Sequence, residues 1–180
     1  KGYADHSMLE SYSQERVPVG EQIVARANQS RLDYAPIREA FTVPGAANPT
    51  EAGLALMQSP SPEGVAARAK LYAALDLKNH EFNAEGVELN QRYASVAIVD
   101  EPDAAPEVFE RDRELYVQVT TRPGAKLPHA WLVNEEHRRV STLDVTGNGQ
   151  ISLVTGLSGT AWVEAVAKLD KEFLQPVVIG

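Results

Sequence analysis

The chain has 180 residues, and 17 Lys and Arg against 25 Asp and Glu leave a formal net charge of −8; an acidic chain with no Lys/Arg run repels phosphate backbones, which argues against nucleic acid as a partner. Its 43% hydrophobic and 23% charged residues suit a globular fold rather than disorder, while no apolar stretch approaches the ~18–20 residues of a membrane span and the first residues do not read as a charged-then-apolar leader. Cysteine is absent, which removes disulfides, thiolate nucleophiles, thiolate metal sites and dithiol redox chemistry together, and the composition fits a cytoplasmic protein.

The first half reads as helical. Ser7-Met8-Leu9-Glu10 has the spacing of a capping box. Leu9, Tyr12, Val19, Ile23 and Ala27 recur on one helical stripe, with Arg16 on or beside it, and Pro18 is expected to kink or split the helix. Tyr34-Ala35-Pro36 restarts the chain for a short helix toward Phe41, followed by a loop over Val43–Pro49 and a short helix over Thr50–Gln58. Ser61 and Pro62 supply an N-cap and a first helical residue. The helix they open places Val65, Ala69, Tyr72 and Leu75 on its apolar stripe and fades at Lys78-Asn79-His80.

The second half changes period. Ser95–Val99 and Leu115–Val119 read as strands separated by the acidic loop Asp100–Glu110, and Ala130–Val133 reads as another before a charged turn over Asn134–His137. Val140–Val145 alternates as a strand and reaches Gly147-Asn148-Gly149, a turn that demands positive φ. Ile151–Val154, a helix from Thr160 to about Phe173 and Val177–Ile179 form a βαβ unit, whose strands are expected to be parallel. Trp162, Val166 and Leu169 are its expected inner stripe, so Trp162→Ala is expected to disrupt the domain far more than Ser158→Ala. The first residue is Lys1 rather than Met, and Pro176–Gly180 is a β-branched run of buried-strand type; a piece of a longer polypeptide is expected.

Chemistry-bearing motifs are sparse. His6, His80, His129 and His137 form no metal pair at helical spacing, and His129 stands out only for lying between Pro128 and the strand carrying Trp131. Gly156-Leu157-Ser158-Gly159-Thr160 joins a strand to a helix but matches neither the dinucleotide fingerprint nor the phosphate loop; Ser158 or Thr160 reads as a helix cap. The pair Glu15-Arg16 is the most distinctive charged feature, Arg16 reading as a fastener between elements. The mixed-sign run Glu110-Arg111-Asp112-Arg113-Glu114 reads as a solvated loop face.

Residues Met8–Val19, with Ser11-Tyr12 and Glu15-Arg16-Val17-Pro18-Val19, resemble a helix of the flavin-dependent aromatic hydroxylases. Pro123-Gly124-Ala125-Lys126-Leu127-Pro128-His129-Ala130-Trp131-Leu132 is similar to that family's Pro-Gly-x-Arg-x-Pro-His-x-Trp-Leu stretch, with Lys126 where Arg is usual. Phe82–Leu89, Ser141–Val145 and Thr155–Trp162 continue the match, and the phenol and 2,4-dichlorophenol monooxygenases are the most similar subgroup. The resemblance implies an α/β chain: a helical N-terminal segment over 1–85 that belongs to or links the FAD/substrate domain, then an incomplete thioredoxin-like α/β domain over 86–180 without Cys-x-x-Cys. It implies a parent that hydroxylates phenols with FAD, NADPH and O2, a cytoplasmic homo-oligomer whose remaining polypeptide is this chain's partner. Neither flavin motif of the family occurs here, so no cofactor-binding, catalytic or metal-binding residue is expected on the chain. Arg16, Glu15, His129, Trp131 and Trp162 are its structural candidates. The alternative reading is a redox-inactive thioredoxin-like binding or adaptor module.

Overall fold

The structure, a computed structural model, describes residues 4–99 and 101–180; Asp100, the first residue of the expected acidic loop, lies outside them. The chain forms two compact units, Lys1–Lys126 and Leu127–Gly180. This division of compactness falls well beyond the change of sequence period near residue 85, because residues 90–126 are laid down as irregular segments on the helical unit.

In the first unit, α1 (Met8–Leu32), α2 (Ala35–Ala40), α3 (Pro49–Gln58), α4 (Pro62–Leu77), α5 (Asn79–Phe82) and α6 (Glu85–Leu89) follow one another. The Ser61 side chain caps α4 by accepting from the Gly64 amide at 3.2 Å, with Pro62 at the first helical position as its sequence requires. Arg68 donates to the carbonyls of Met57 and Ser59 at 2.8 and 2.7 Å, satisfying the C-terminal end of α3. Lys78 is buried and donates to the Ser30 carbonyl at the last turn of α1, pairs with Glu81 and lies 3.5 Å over the Tyr34 ring. Buried cations need such complete satisfaction.

The structure departs from several of the sequence-based expectations. Ser7 makes no side-chain cap; its own amide is instead held by the Asp5 carboxylate at 2.9 Å. Helix α1 runs uninterrupted through Pro18, whose missing hydrogen bond falls on the exposed side where water can replace it. The buried stripe of α1 carries Ser11, Val19 and Ser30 with half-buried Glu15, Gln22 and Arg26 between them, while Leu9, Tyr12 and Ile23 are exposed. On α4 the inward residues are Gly64, Ala67 and Ala74 rather than Val65, Tyr72 and Leu75; α2 and α3 pack against α4, and a Cβ on Gly64 would lie 2.3 Å from the Ser59 carbonyl oxygen at the end of α3.

Neither Ser95–Val99 nor Leu115–Val119 is a strand. Both lack a neighbouring ladder, and side chains take up their amides instead: Gln118 N–H donates to the Asn90 side-chain carbonyl at 2.8 Å, and Ala97 N–H to Ser95 Oγ at 3.1 Å. Two glycines let these segments approach. A Cβ on Gly86 would lie 2.1 Å from the Arg113 carbonyl oxygen, and one on Gly124, at φ +80°, equally close to the Tyr93 carbonyl oxygen. The run Glu110–Glu114 is more than a solvated face, since Asp112 and Glu114 reach His80 and Arg26.

In the second unit β1 (Trp131–Val133) and β2 (Arg139–Ser141) form an antiparallel hairpin, with Trp131 opposite Ser141. The expected strand over Val140–Val145 stops at Ser141. Ser141 and Asp144 close a capping box that starts a one-turn helix, α7 (Thr142–Val145). The turn Gly147-Asn148-Gly149 has positive φ at all three residues, as its composition demands. Then β3 (Ile151–Thr155), α8 (Thr160–Leu169) and β4 (Leu174–Val178) form the βαβ unit, β3 and β4 pairing in parallel from Ile151–Leu174 to Thr155–Val178. Gly159, not Ser158 or Thr160, stands at the N-cap of α8, without a side-chain cap bond. Trp162 and Leu169 are exposed and only Val166 of the expected stripe is buried, so the reading of Trp162 as a buried anchor is corrected. Two strands about 5 Å apart are narrower than a helix of ~10 Å diameter, so residues at the flanks of its inner face stay uncovered.

Candidate functional site

The polar stripe of α1 and the irregular segments of residues 90–118 build the most elaborate constellation in the first unit. Arg16 Nη1 donates to Tyr93 Oη at 2.5 Å and to the Gln91 side-chain carbonyl at 3.3 Å, and its neighbour Glu15 accepts from Ser95 Oγ at 2.5 Å. The adjacent pair thus grips three residues of one segment across about 80 positions of sequence. Nearly three turns further on, ten residues past Arg16, Arg26 donates to Asp33 at 2.7 Å, Glu114 at 2.9 Å and Ser30 Oγ at 3.2 Å. A groove of about 560 Å³ lies alongside, lined by Glu15, Val19, Gln22 and Arg92 among others.

Behind it Asn90, 2% exposed, donates to the carbonyls of Arg113 and Tyr116 at 2.8 and 2.6 Å and accepts from Gln118 N–H. Arg92 makes a fork to Glu107, with Nε and Nη2 at 2.8 and 2.9 Å from the two carboxylate oxygens. This bond and the Gln118 amide outweigh desolvation and hold Glu107 down to about 2 from an ordinary 4.5. His80 Nε2 donates to Asp112 at 3.1 Å, the first cause of a lowered Asp112 carboxyl. Glu107 and Asp112 are therefore ionised at neutral pH and serve as acceptors rather than proton donors. Among the described residues no three His, Cys, Asp or Glu side chains are placed to hold a metal ion.

The second unit holds a smaller cluster. His129 Nδ1 hydrogen-bonds with Ser141 Oγ at 2.8 Å and its ring meets Trp131 edge-on at 4.9 Å, while Arg139 lies 4.4 Å over the Trp131 indole. Trp131 and Trp162 are both more than half exposed. The β3–α8 turn does not fit a dinucleotide. Gly159 N–H is already committed to the Gly156 carbonyl at 2.9 Å, and a Cβ on Gly159 would fall 1.8 Å from Thr155 Oγ1, so the turn is closed onto its own strand.

Glu15, Arg16, His129 and Trp131 thus each sit in a bonded cluster, the first two together and the last two together. Sequence reasoning missed Asn90, Arg92, Glu107 and Gln118. The run Asn90-Gln91-Arg92 just after a helix was the sole visible hint, and nothing local marked Glu107, fifteen residues further on, as its partner.

No family model matches the chain. It is 42% identical over 174 residues to 2,4-dichlorophenol 6-monooxygenase of Cupriavidus pinatubonensis (strain JMP 134 / LMG 1197), a match covering 95% of this chain and 29% of that protein. Phenol 2-monooxygenase of Pseudomonas sp. (strain EST1001) is 42% identical over 185 residues, covering 100% and 30%. The crystal structure of the flavin-dependent monooxygenase PieE in complex with FAD and substrate superposes with a TM-score of 0.85 at 42% identity, covering 99% of this chain and 31% of that one. The chain spans about three tenths of the length of these relatives. With sequence and fold agreeing over nearly every residue, the chain is homologous to the C-terminal part of these flavin-dependent monooxygenases.

Proposed function

We propose that this chain is the structural C-terminal part of a flavin-dependent monooxygenase that hydroxylates phenolic compounds with NADPH and O2, and that it carries no catalytic residue itself. The observation that carries this reading is 42% identity, over 95% of the chain, to an enzyme named for hydroxylating 2,4-dichlorophenol. In the parent, FAD supplies the oxygen chemistry from the remaining polypeptide. In this reading residues 1–85 belong to or link the FAD/substrate domain, 86–180 are an incomplete, redox-inactive thioredoxin-like domain, and the parent is a cytoplasmic homo-oligomer. In this reading Arg16 and Arg26, donating to protein acceptors, and Glu15, accepting from Ser95, hold α1 in place.

The test is flavin absorbance and phenol-dependent NADPH oxidation, measured on the longer encoded protein and on the 180-residue chain. The longer protein is expected to be yellow and active, the chain alone to retain no flavin through gel filtration. Stoichiometric flavin on the isolated chain would overturn the structural role; a colourless longer protein would favour an adaptor.

Arg16→Met separates a structural from a ligand-contacting role. It removes charge-assisted bonds at an exposed site, an effect of about 1 kcal/mol on stability. Melting of the longer enzyme is expected to shift down by a few degrees with phenol affinity unchanged. Unchanged melting with lost phenol binding would place Arg16 at the ligand.

A further inference from the structure

We propose that the cavity between residues 106–110 and 116–122 is a binding site for a small aromatic carboxylate. It measures about 540 Å³, within the ~300–1,000 Å³ usual for small-molecule sites. The Gln118 side chain frames it: Oε1 accepts from Glu110 N–H at 3.1 Å, and Nε2 donates to the Val108 carbonyl at 3.2 Å and to Glu107 at 2.8 Å. A side chain thus holds the two segments apart where a strand ladder would close them together. The valines that line the space stay uncovered, Val108 and Val119 being 77% and 72% exposed. A ligand ring laid on them takes apolar surface out of water.

Two guanidiniums belong to the same lining, Arg111 and Arg122. The Arg111 guanidinium carbon lies 3.2 Å from the centre of the Tyr116 ring. Among the described residues no acceptor takes its N–H groups. A guanidinium stacked on an aromatic ring keeps its N–H edge for a carboxylate, which it can grip with two parallel bonds. Arg122 donates Nη2 to the Ala105 carbonyl at 2.6 Å, which fixes the side chain and leaves its charge without a bonded carboxylate.

Two carboxylates also line the cavity, and they weigh differently. Glu107 has both oxygens taken by the Arg92 fork, one of them also by Gln118, so a cation from outside the lining offsets its charge. Glu110 is exposed, and among the described residues only its backbone amide is bonded. Arg111 and Arg122 therefore stand against one uncompensated carboxylate, a balance that favours a single negative charge. Inorganic phosphate brings more charge toward Glu110 and leaves the valines in water. A phenol-sized neutral ring covers the valines but leaves both guanidiniums without an anion. An aromatic monocarboxylate answers both features at once.

The probe is benzoate, titrated by calorimetry into the longer encoded protein and its variants. Arg111 is exposed, so Arg111→Met is expected to fold, with its melting curve as the check, and to weaken benzoate about 10-fold. Glu110→Gln removes the one opposing charge and is expected to tighten benzoate about twofold. Benzyl alcohol, the same ring without the charge, is expected to bind about 10-fold more weakly than benzoate. Equal benzoate affinity in the parent protein and Arg111→Met would overturn the proposal. Phosphate displacing benzoate at equal concentration would also overturn it, leaving an anion site with no recognition of the ring. None of these measurements needs flavin, so a colourless longer protein would count against the monooxygenase reading and leave this test standing.

Discussion

Asn90→Ala is expected to lower the unfolding free energy by about 3–5 kcal/mol, among the largest effects of any single polar substitution in the chain. Asn90 is 2% exposed and all its bonds are to backbone: it donates to the Arg113 and Tyr116 carbonyls and accepts from the Gln118 amide. Alanine leaves three main-chain groups without partners in a space water enters poorly, and each such group costs roughly 1–3 kcal/mol. The loss has a local character as well. Residues 113–118 have no strand ladder of their own, so without Asn90 the segment that carries Glu114 toward Arg26 is released. A urea melt of Asn90→Ala beside Asn28→Ala, an exposed position on α1, measures the difference. Equal midpoints for the two variants would show that the segment is held by other means.

Glu107→Gln is expected to remove a defined part of the acid sensitivity of the protein. The Arg92 fork holds the folded carboxyl near 2 against an ordinary 4.5. A depressed carboxylate contributes stability that is fully present above the unfolded value and is lost as pH falls through the folded one. Its contribution is therefore complete above about pH 4.5 and disappears between there and about pH 2. The pair is partly exposed, at 18% and 16% for the two side chains, and solvent screening limits the contribution to about 1–2 kcal/mol at neutral pH. The glutamine variant is expected to have a lower urea midpoint at pH 7 and a flatter decline between pH 4.5 and 2.5. A variant whose acid decline parallels that of the parent chain would mean that other carboxylates govern this window. Arg92→Met, which leaves Glu107 facing Gln118 alone, is expected to steepen the loss at neutral pH, because the remaining carboxylate keeps its desolvation without its cation.

Local chemistry was readable wherever it acts within a few residues. Ser61-Pro62 started α4, the composition of Gly147-Asn148-Gly149 produced three positive φ values, and the spacing of two apolar runs around one helix produced the parallel β3–β4 pair. The capping box of α7 was equally local, yet the alternation of Val140–Val145 concealed it, since a four-residue helix and a strand end share the same apolar spacing. The runs Ser95–Val99 and Leu115–Val119 carried strand composition without finding a ladder, and side chains from elsewhere satisfied their amides.

The sequence by itself determined the acidic, cysteine-free character of the chain, its helical first half and βαβ ending, and through its motifs the family it resembles. Only the tertiary structure decided which face of α1 turns inward, which partners Arg16 and Glu15 take, and that Asn90, Arg92, Glu107 and Gln118 form one cluster. The reason is the range of the forces involved. Capping, turn preference and periodicity are set by neighbours a few residues apart, where the covalent chain leaves little choice. The partners of Arg16 and Glu15 lie 75–80 positions away, and the path that brings them together is fixed by close approaches such as Gly86 against Arg113 and Gly124 against Tyr93. A polar stripe turned inward contradicts the ordinary hydrophobic pattern, and it is stabilised by specific partners that the folded chain supplies, acceptors for Arg26 and a donor for Glu15.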